Sequence, residues 1–148
     1  MTCSLAGALA VVGDAWSLLI VKELMLDNRR FEGLQAQTGM SSNSLAARLK
    51  TLEQSKIIRR AKYNDRPRRY EYSVTQRGFD LWPVLVSLTT WGDKWVNRGA
   101  TPLQYVHAVC DHNADPGLVC RCCSMPLDAS VVRPLMSSKM RADRARRS

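Results

Sequence analysis

The chain predicts a mainly helical fold with one small β-hairpin, an α+β arrangement, and three observations carry that reading. Apolar residues recur every three or four positions through successive stretches, which is the mark of helices with one buried face. Two runs rich in β-branched and aromatic residues flank a single short loop with a proline, as strands flank a hairpin turn. Beyond residue 99 both patterns fade, so the regular fold ends there.

Each element follows from its own residues. Leu5, Leu9 and Val12 stand at helical spacing, Gly13 and Asp14 interrupt, and Trp16, Leu19, Ile20 and Leu24 resume the pattern on a second helix. Asp27 and Asn28 read as a turn, Arg29 and Arg30 as a short extended piece, and Phe31 to Thr38 as a third helix stopped by Gly39. Ser41 or Ser42 caps a fourth helix whose buried stripe is Leu45, Leu49 and Leu52, with Asn43, Arg48 and Lys50 on the opposite face. Ile57 to Tyr63 and Tyr70 to Val74 are the strands, joined by a loop from Asn64 to Arg68. Thr75 caps the longest helix, with a stripe of Leu81, Leu85, Leu88, Trp91 and Trp95, and Pro83 marks a kink or a first-turn proline. The expected organisation is a main domain over 1–98, a Cys/His-rich appendage over 99–136, and a basic, disordered tail over 137–148.

Composition narrows the partners. Against 13 Asp and Glu stand 22 Lys and Arg, a formal charge of +9, which favours a polyanion first and an anionic membrane surface second. The first 26 residues are apolar, but no basic segment opens them and Asp14, Lys22 and Glu23 break the run, so neither a signal peptide nor a membrane anchor is expected. A cytoplasmic location follows, and with it five cysteines read as thiols or metal ligands rather than as a disulfide frame.

The order of elements makes 31–56 a helix-turn-helix and the basic loop after it the tip of a wing. In such a unit the second helix enters a major groove while the wing meets phosphate or the minor groove. From Arg48 to Arg69 nine basic residues face only Glu53 and Asp65, so nearly the whole net charge falls on these two elements. The expected contacts to double-stranded DNA are Ser42, Asn43, Ser44, Arg48 and Lys50 on the helix and Arg66, Arg68 and Arg69 on the wing. A solvated charged face is the plainer explanation for any one arginine, and helix capping for any one serine.

The stretches "CSLAGALAVVGDAWSLLIVKELML", "RRFEGLQAQTGMSSNSLAARLKTLEQ" and "RRYEYSVTQRGFDLWPVLVSLTTWGDKW" resemble the HxlR-type winged-helix transcriptional regulators of bacteria, within the MarR-like superfamily, over about residues 3 to 95. The resemblance implies a homodimer joined through its first and last helices and bound to an inverted repeat. Leu5, Leu9, Leu88, Trp91 and Trp95 are the residues it would place in that interface. It departs from the family at Gly13, Asp14 and Ala15, where a second glycine and a basic residue are usual, and at Ser55 and Lys56, where a glycine usually ends the recognition helix. Several such regulators sense oxidants or electrophiles through a cysteine placed like Cys3, just ahead of the first helix; a residue in the dimer seam is the alternative. A small-molecule effector is the other expected signal.

"HAVCDHNADPGLVCRCCSMPLD" holds the remaining cysteines. Cys110, His112, Cys120 and Cys123 offer a two-by-two set for a structural zinc, although the reading as a DNA-binding protein requires no cofactor. A redox pair or inert packing are the alternatives. No carboxylate pair, nucleophile with a base, or phosphate loop points to an enzyme. The rival to a DNA-binding regulator is a basic adaptor that uses the same fold to bind protein or RNA.

Overall fold

A computed structural model of the chain describes residues 3–114 and 117–146. These divide into two compact units, residues 3–85 and the chain from Val86 onward.

The first unit is ordered by its apolar spacing. Helices α1 (Ser4–Val12) and α2 (Ser17–Met25) are separated by a turn that Asp14 organises. The Asp14 Oδ1 atom accepts from the backbone amides of Trp16 and Ser17, each at 2.9 Å, and Oδ2 accepts from the Ser17 hydroxyl. Asp14 thereby caps α2, which gives the acid at this position a structural role. Helix α3 (Phe31–Thr38) ends at Gly39, whose φ of 70° is the left-handed conformation that glycine adopts without a Cβ clash. Helix α4 (Ser42–Gln54) begins at Ser41, the first of the two expected caps, whose hydroxyl accepts from the Ser44 amide.

Strands β1 (Ile58–Asp65) and β2 (Arg68–Val74) pair antiparallel from Ile58–Val74 to Asp65–Arg68, with an irregularity between Lys62 and Asn64. The loop is shorter than the sequence suggests, because pairing continues to Asp65 and leaves only Arg66 and Pro67 at the tip. The extended piece at Arg29 and Arg30 exists as a bridge to Glu71, with the Tyr72 amide donating to the Arg29 carbonyl. Ile20, Val21, Leu34, Leu45, Leu49, Leu52 and Ile58 are the deepest side chains of one core, closed by Tyr72, Val74 and Leu85.

The expected long helix is in fact two. Thr75 caps α5 (Gln76–Phe79), Asp80 and Leu81 break the ladder, and α6 (Trp82–Trp95) carries Pro83 in its first turn, where its missing amide costs nothing. Gly78 lies so close to Ile57 that a Cβ would meet its carbonyl oxygen at 2.4 Å, which lets α5 seat against the base of the wing.

The second unit holds two small hairpin turns and a last helix. Strands β3 (Val106–His107) and β4 (His112–Asn113) form one, and a bridge between Val119 and Pro126 closes the other. Where disorder is expected, the structure has α7 (Ser138–Ala145). Ser137 caps it, Lys, Met, Arg and Ala favour a helix, and Arg146 pairs with Asp143, but it buries no side chain. Among the described residues no single helix is long and apolar enough to cross a membrane.

Candidate nucleic-acid interface

Helix α4 turns Leu45, Leu49 and Leu52 into the core, so residues 43, 46, 47, 50, 51 and 54 lie on its exposed side. Asn43 opens that face and Lys50 sits two turns on. Ala46 and Ala47 between them are small, which leaves the backbone open to close approach. The sequence reading did not single out Ala46, Ala47 or Gln54, yet their helical spacing from Asn43 and Lys50 was the available signal.

The serines at the helix start have work inside the protein. Gln35 of α3 donates to the Ser42 hydroxyl at 2.9 Å and to the Met40 carbonyl, fixing the turn between the two helices. The Ser44 hydroxyl accepts from Ser41 at 2.9 Å. Both remain exposed at the end of α4 where a groove edge would lie.

The basic residues separate into paired and unpaired groups, which charge counting does not reveal. Arg48 stands 3.1 Å from Asp14, and both side chains are largely covered. It is thus drawn toward the α1–α2 turn and is only partly exposed, whereas Asn43 and Lys50 are exposed. Asp14 feels burial pushing its carboxyl up, but the Ser17 hydroxyl, the Trp16 and Ser17 amides and Arg48 outweigh this and hold it below its ordinary value of 3.8. Arg60 pairs with Glu53 at 3.2 Å and stacks on Tyr70, and Lys62 pairs with Asp65.

Arg69 lies 3.7 Å from Glu32, with both side chains at least half exposed. Tyr63, first by hydrogen bonding and then by charge, and Glu32 raise the Arg69 pKa above its usual value. An exposed pair of this length is weakened by solvent, so a phosphate can compete with Glu32 for Arg69. Arg66 and Arg68, at the tip and the first position of β2, have no carboxylate partner among the described residues. Five cations of the basic segment lie outside the salt bridges found among the described residues: Lys50, Lys56, Arg59, Arg66 and Arg68; of these, Arg59 donates to the Ser73 hydroxyl.

Lys56 has a φ of 58°, the left-handed conformation that glycine adopts most easily. Its amide donates to the Glu53 carbonyl and the Ile57 amide to that of Leu52, so the helix terminates in the usual geometry without the usual residue.

Cys3 is exposed and occupies the N-cap position of α1 without a side-chain capping bond. Leu5, Leu9, Leu88, Trp91 and Trp95 are all more than half exposed in the single chain. The proposed zinc tetrad is not assembled. Among the described residues no three His, Cys, Asp or Glu side chains converge on a common point. His112 instead directs Nδ1 to the Cys110 carbonyl oxygen at 2.6 Å, while His107 lies 3.1 Å from the Cys110 sulfur. Cys120 accepts from the amides of Cys123 and Cys122 and from the Cys123 thiol, which hold its pKa below the usual thiol value.

A tri-helical core, a helix-turn-helix with a capped second helix, and a two-stranded basic wing define the winged-helix class of transcriptional regulator. The HxlR-like helix-turn-helix family matches residues 11–100, and the chain belongs to it. It is 36% identical to an uncharacterized HTH-type transcriptional regulator of Mycobacterium tuberculosis, over 88% of this chain and 84% of that protein. It is 31% identical to the HTH-type transcriptional regulator YodB of Bacillus subtilis, over 68% of this chain and 91% of YodB. Among solved structures, PA1607 superposes with a TM-score of 0.79 at 27% identity, covering 92% of this chain and 96% of that one. The redox regulator HypR in its oxidized form gives a TM-score of 0.58 at 26% identity, covering 62% of this chain and 96% of HypR.

Proposed function

We propose that this regulator binds a double-stranded operator as a homodimer in the cytoplasm, placing the exposed face of α4 in the major groove and the wing tip against the backbone. The observation that carries the reading is the position of Arg66 and Arg68: cations at the hairpin tip without carboxylate partners among the described residues, on a hairpin whose first strand follows directly from a helix with Asn43 and Lys50 exposed. Asn43 and Lys50 meet base edges and nearby phosphates, with Ser42 and Ser44 at the groove edge. Arg66 and Arg68 hold phosphate, and Arg69 joins them by exchanging Glu32 for it. Arg48 contributes by bracing α4 against the α1–α2 turn.

Two-fold symmetry supplies the second half-site, about one helical turn or ~34 Å away. The exposed Leu5 and Leu9 of α1 and Leu88, Trp91 and Trp95 of α6 supply apolar area for such an interface. Cys3 is the proposed oxidant sensor, a role supported by its exposure and by the likeness to HypR, which is a redox regulator. A cavity of about 320 Å³ in the second unit, lined by Val86, Thr90, Asp93, Leu103 and Asn113 among others, is large enough for a small effector.

A gel shift with the DNA upstream of the protein's own gene, at moderate salt and with competitor DNA, is the test. A discrete complex supports operator recognition; a smear that salt dissolves supports a basic adaptor instead. Cys3→Ser is expected to keep DNA binding and lose release by diamide, and equal release in both proteins would remove Cys3 from the mechanism.

A further inference from the structure

The cysteine-rich stretch contains the same local structure twice. In the first hairpin the Asp111 amide donates to the His107 carbonyl at 2.8 Å, and Asp111 has a φ of 60°. In the second, the Ser124 amide donates to the Cys120 carbonyl at 2.8 Å, and Ser124 has a φ of 59°. Each turn thus carries a soft ligand at its first position, another at its fourth, and a left-handed residue at its fifth: His107, Cys110 and Asp111 in one, Cys120, Cys123 and Ser124 in the other. Each turn is also closed by flanking antiparallel pairing, Ala114 to Tyr105 in the first and Cys120 to Met125 and Leu127 to Leu118 in the second.

Nothing in helix or sheet propensity asks for this repetition. A left-handed aspartate and a left-handed serine are strained relative to glycine, and the strain recurs at equivalent positions. The turn does, however, do one thing well: it brings two side chains three residues apart close together, His107 with Cys110 in the first and Cys120 with Cys123 in the second. His107 Nδ1 and Cys110 Sγ already stand 3.1 Å apart, against the ~3.6 Å that separates N and S ligands on one tetrahedral zinc. At Cys120 the amides of Cys122 and Cys123 donate to the sulfur, as amides do in a turn that supports thiolates on a metal.

We infer that the two turns are matched half-sites for one structural Zn²⁺, with His107, Cys110, Cys120 and Cys123 as ligands. The set is three thiolates and one imidazole, a closed tetrahedral complement that leaves no position for substrate. Among the described residues no three of these side chains converge on one point, so the assignment requires that the ion draw together the two hairpins, both in the second unit. His112 and Cys122 lie outside the set because neither stands at the first or fourth position of its turn: His112 follows the left-handed Asp111, and Cys122 is the third residue of the second turn.

The full chain, purified under reducing conditions without chelator, is titrated with Co²⁺ and then Zn²⁺. One ion per chain is expected, with the intense visible bands of tetrahedral cobalt and a thiolate-to-cobalt charge-transfer band scaled to three sulfurs. His107→Ala and Cys120→Ser are expected to weaken binding more than roughly a hundredfold, and His112→Ala and Cys122→Ser by less than about threefold. The cobalt spectrum of the unaltered chain counts thiolates even if a variant misfolds. Cobalt bound without a thiolate band, a chain that takes up no metal while Cys120 and Cys123 form a disulfide, or a larger loss in His112→Ala than in His107→Ala would each overturn the assignment.

Discussion

The two units of this protein are held together by different means. Residues 3–85 enclose a core in which Ile20, Val21, Leu34, Leu45 and Leu52 have essentially no exposure. From Val86 onward, Val86 is the one buried residue among those described, and Leu118, Val131 and Leu135 stand mostly in solvent. Burial of apolar area is the main favourable term in folding, so the first unit stands on its own core, whereas in the second, hydrogen-bonded turns and short helices are present with little burial among the described residues.

That contrast can be broken by mutation. Leu45→Ala is expected to cost about 3 kcal/mol, because it removes a fully buried side chain from a packed site, measured by chemical denaturation. Asp14→Ala should follow, at about 1–2 kcal/mol, through loss of the α2 cap and release of Arg48. Its effect depends on pH with a definite sign. Asp14 and Glu23 both titrate below their ordinary values of 3.8 and 4.5, Glu23 because hydrogen bonds from Lys22 and Asn28 outweigh its burial. Their stabilisation is therefore present above those values and lost as pH falls through the depressed ones, so Asp14→Asn should flatten the acid limb of the stability curve.

Lys56→Gly should stabilise by roughly 0.5–1 kcal/mol, since glycine relieves the left-handed strain at the end of α4. Leu135→Ala, in contrast, should change stability by no more than about 0.5 kcal/mol, as expected for a side chain 93% exposed. A loss as large as that of Leu45→Ala would show that the second unit has a core of its own.

The same contrast explains what was legible beforehand. Helices α2 to α4 and the wing could be read because a buried face imposes a period of 3.6 or 2 on the sequence. Strands of two residues, such as Val106–His107, are too short to carry a period, so the paired turns went unseen although the repeated spacing of HAVCD and CRCCS was there to find. The break between α5 and α6 was hidden because the apolar stripe runs through it, Leu81 to Leu85, without a change of spacing. Helix α7 was missed because a helix that buries nothing leaves no apolar signal.

The candidate interface was legible as a region but not residue by residue. Charge density located α4 and the wing. Partners distant in sequence then decided which cations face outward: Asp14 takes Arg48 across 34 positions, and Glu32 lies against Arg69 across 37, pairings that no local pattern encodes.

Salt dependence of operator binding tests the central claim most directly. With a fixed duplex, the slope of log affinity against log salt is measured for the unaltered protein, for Arg66→Ala with Arg68→Ala, and for Arg48→Ala. The account predicts that the double substitution lowers the slope by roughly two while Arg48→Ala leaves it unchanged. An unchanged slope in the double variant would contradict it.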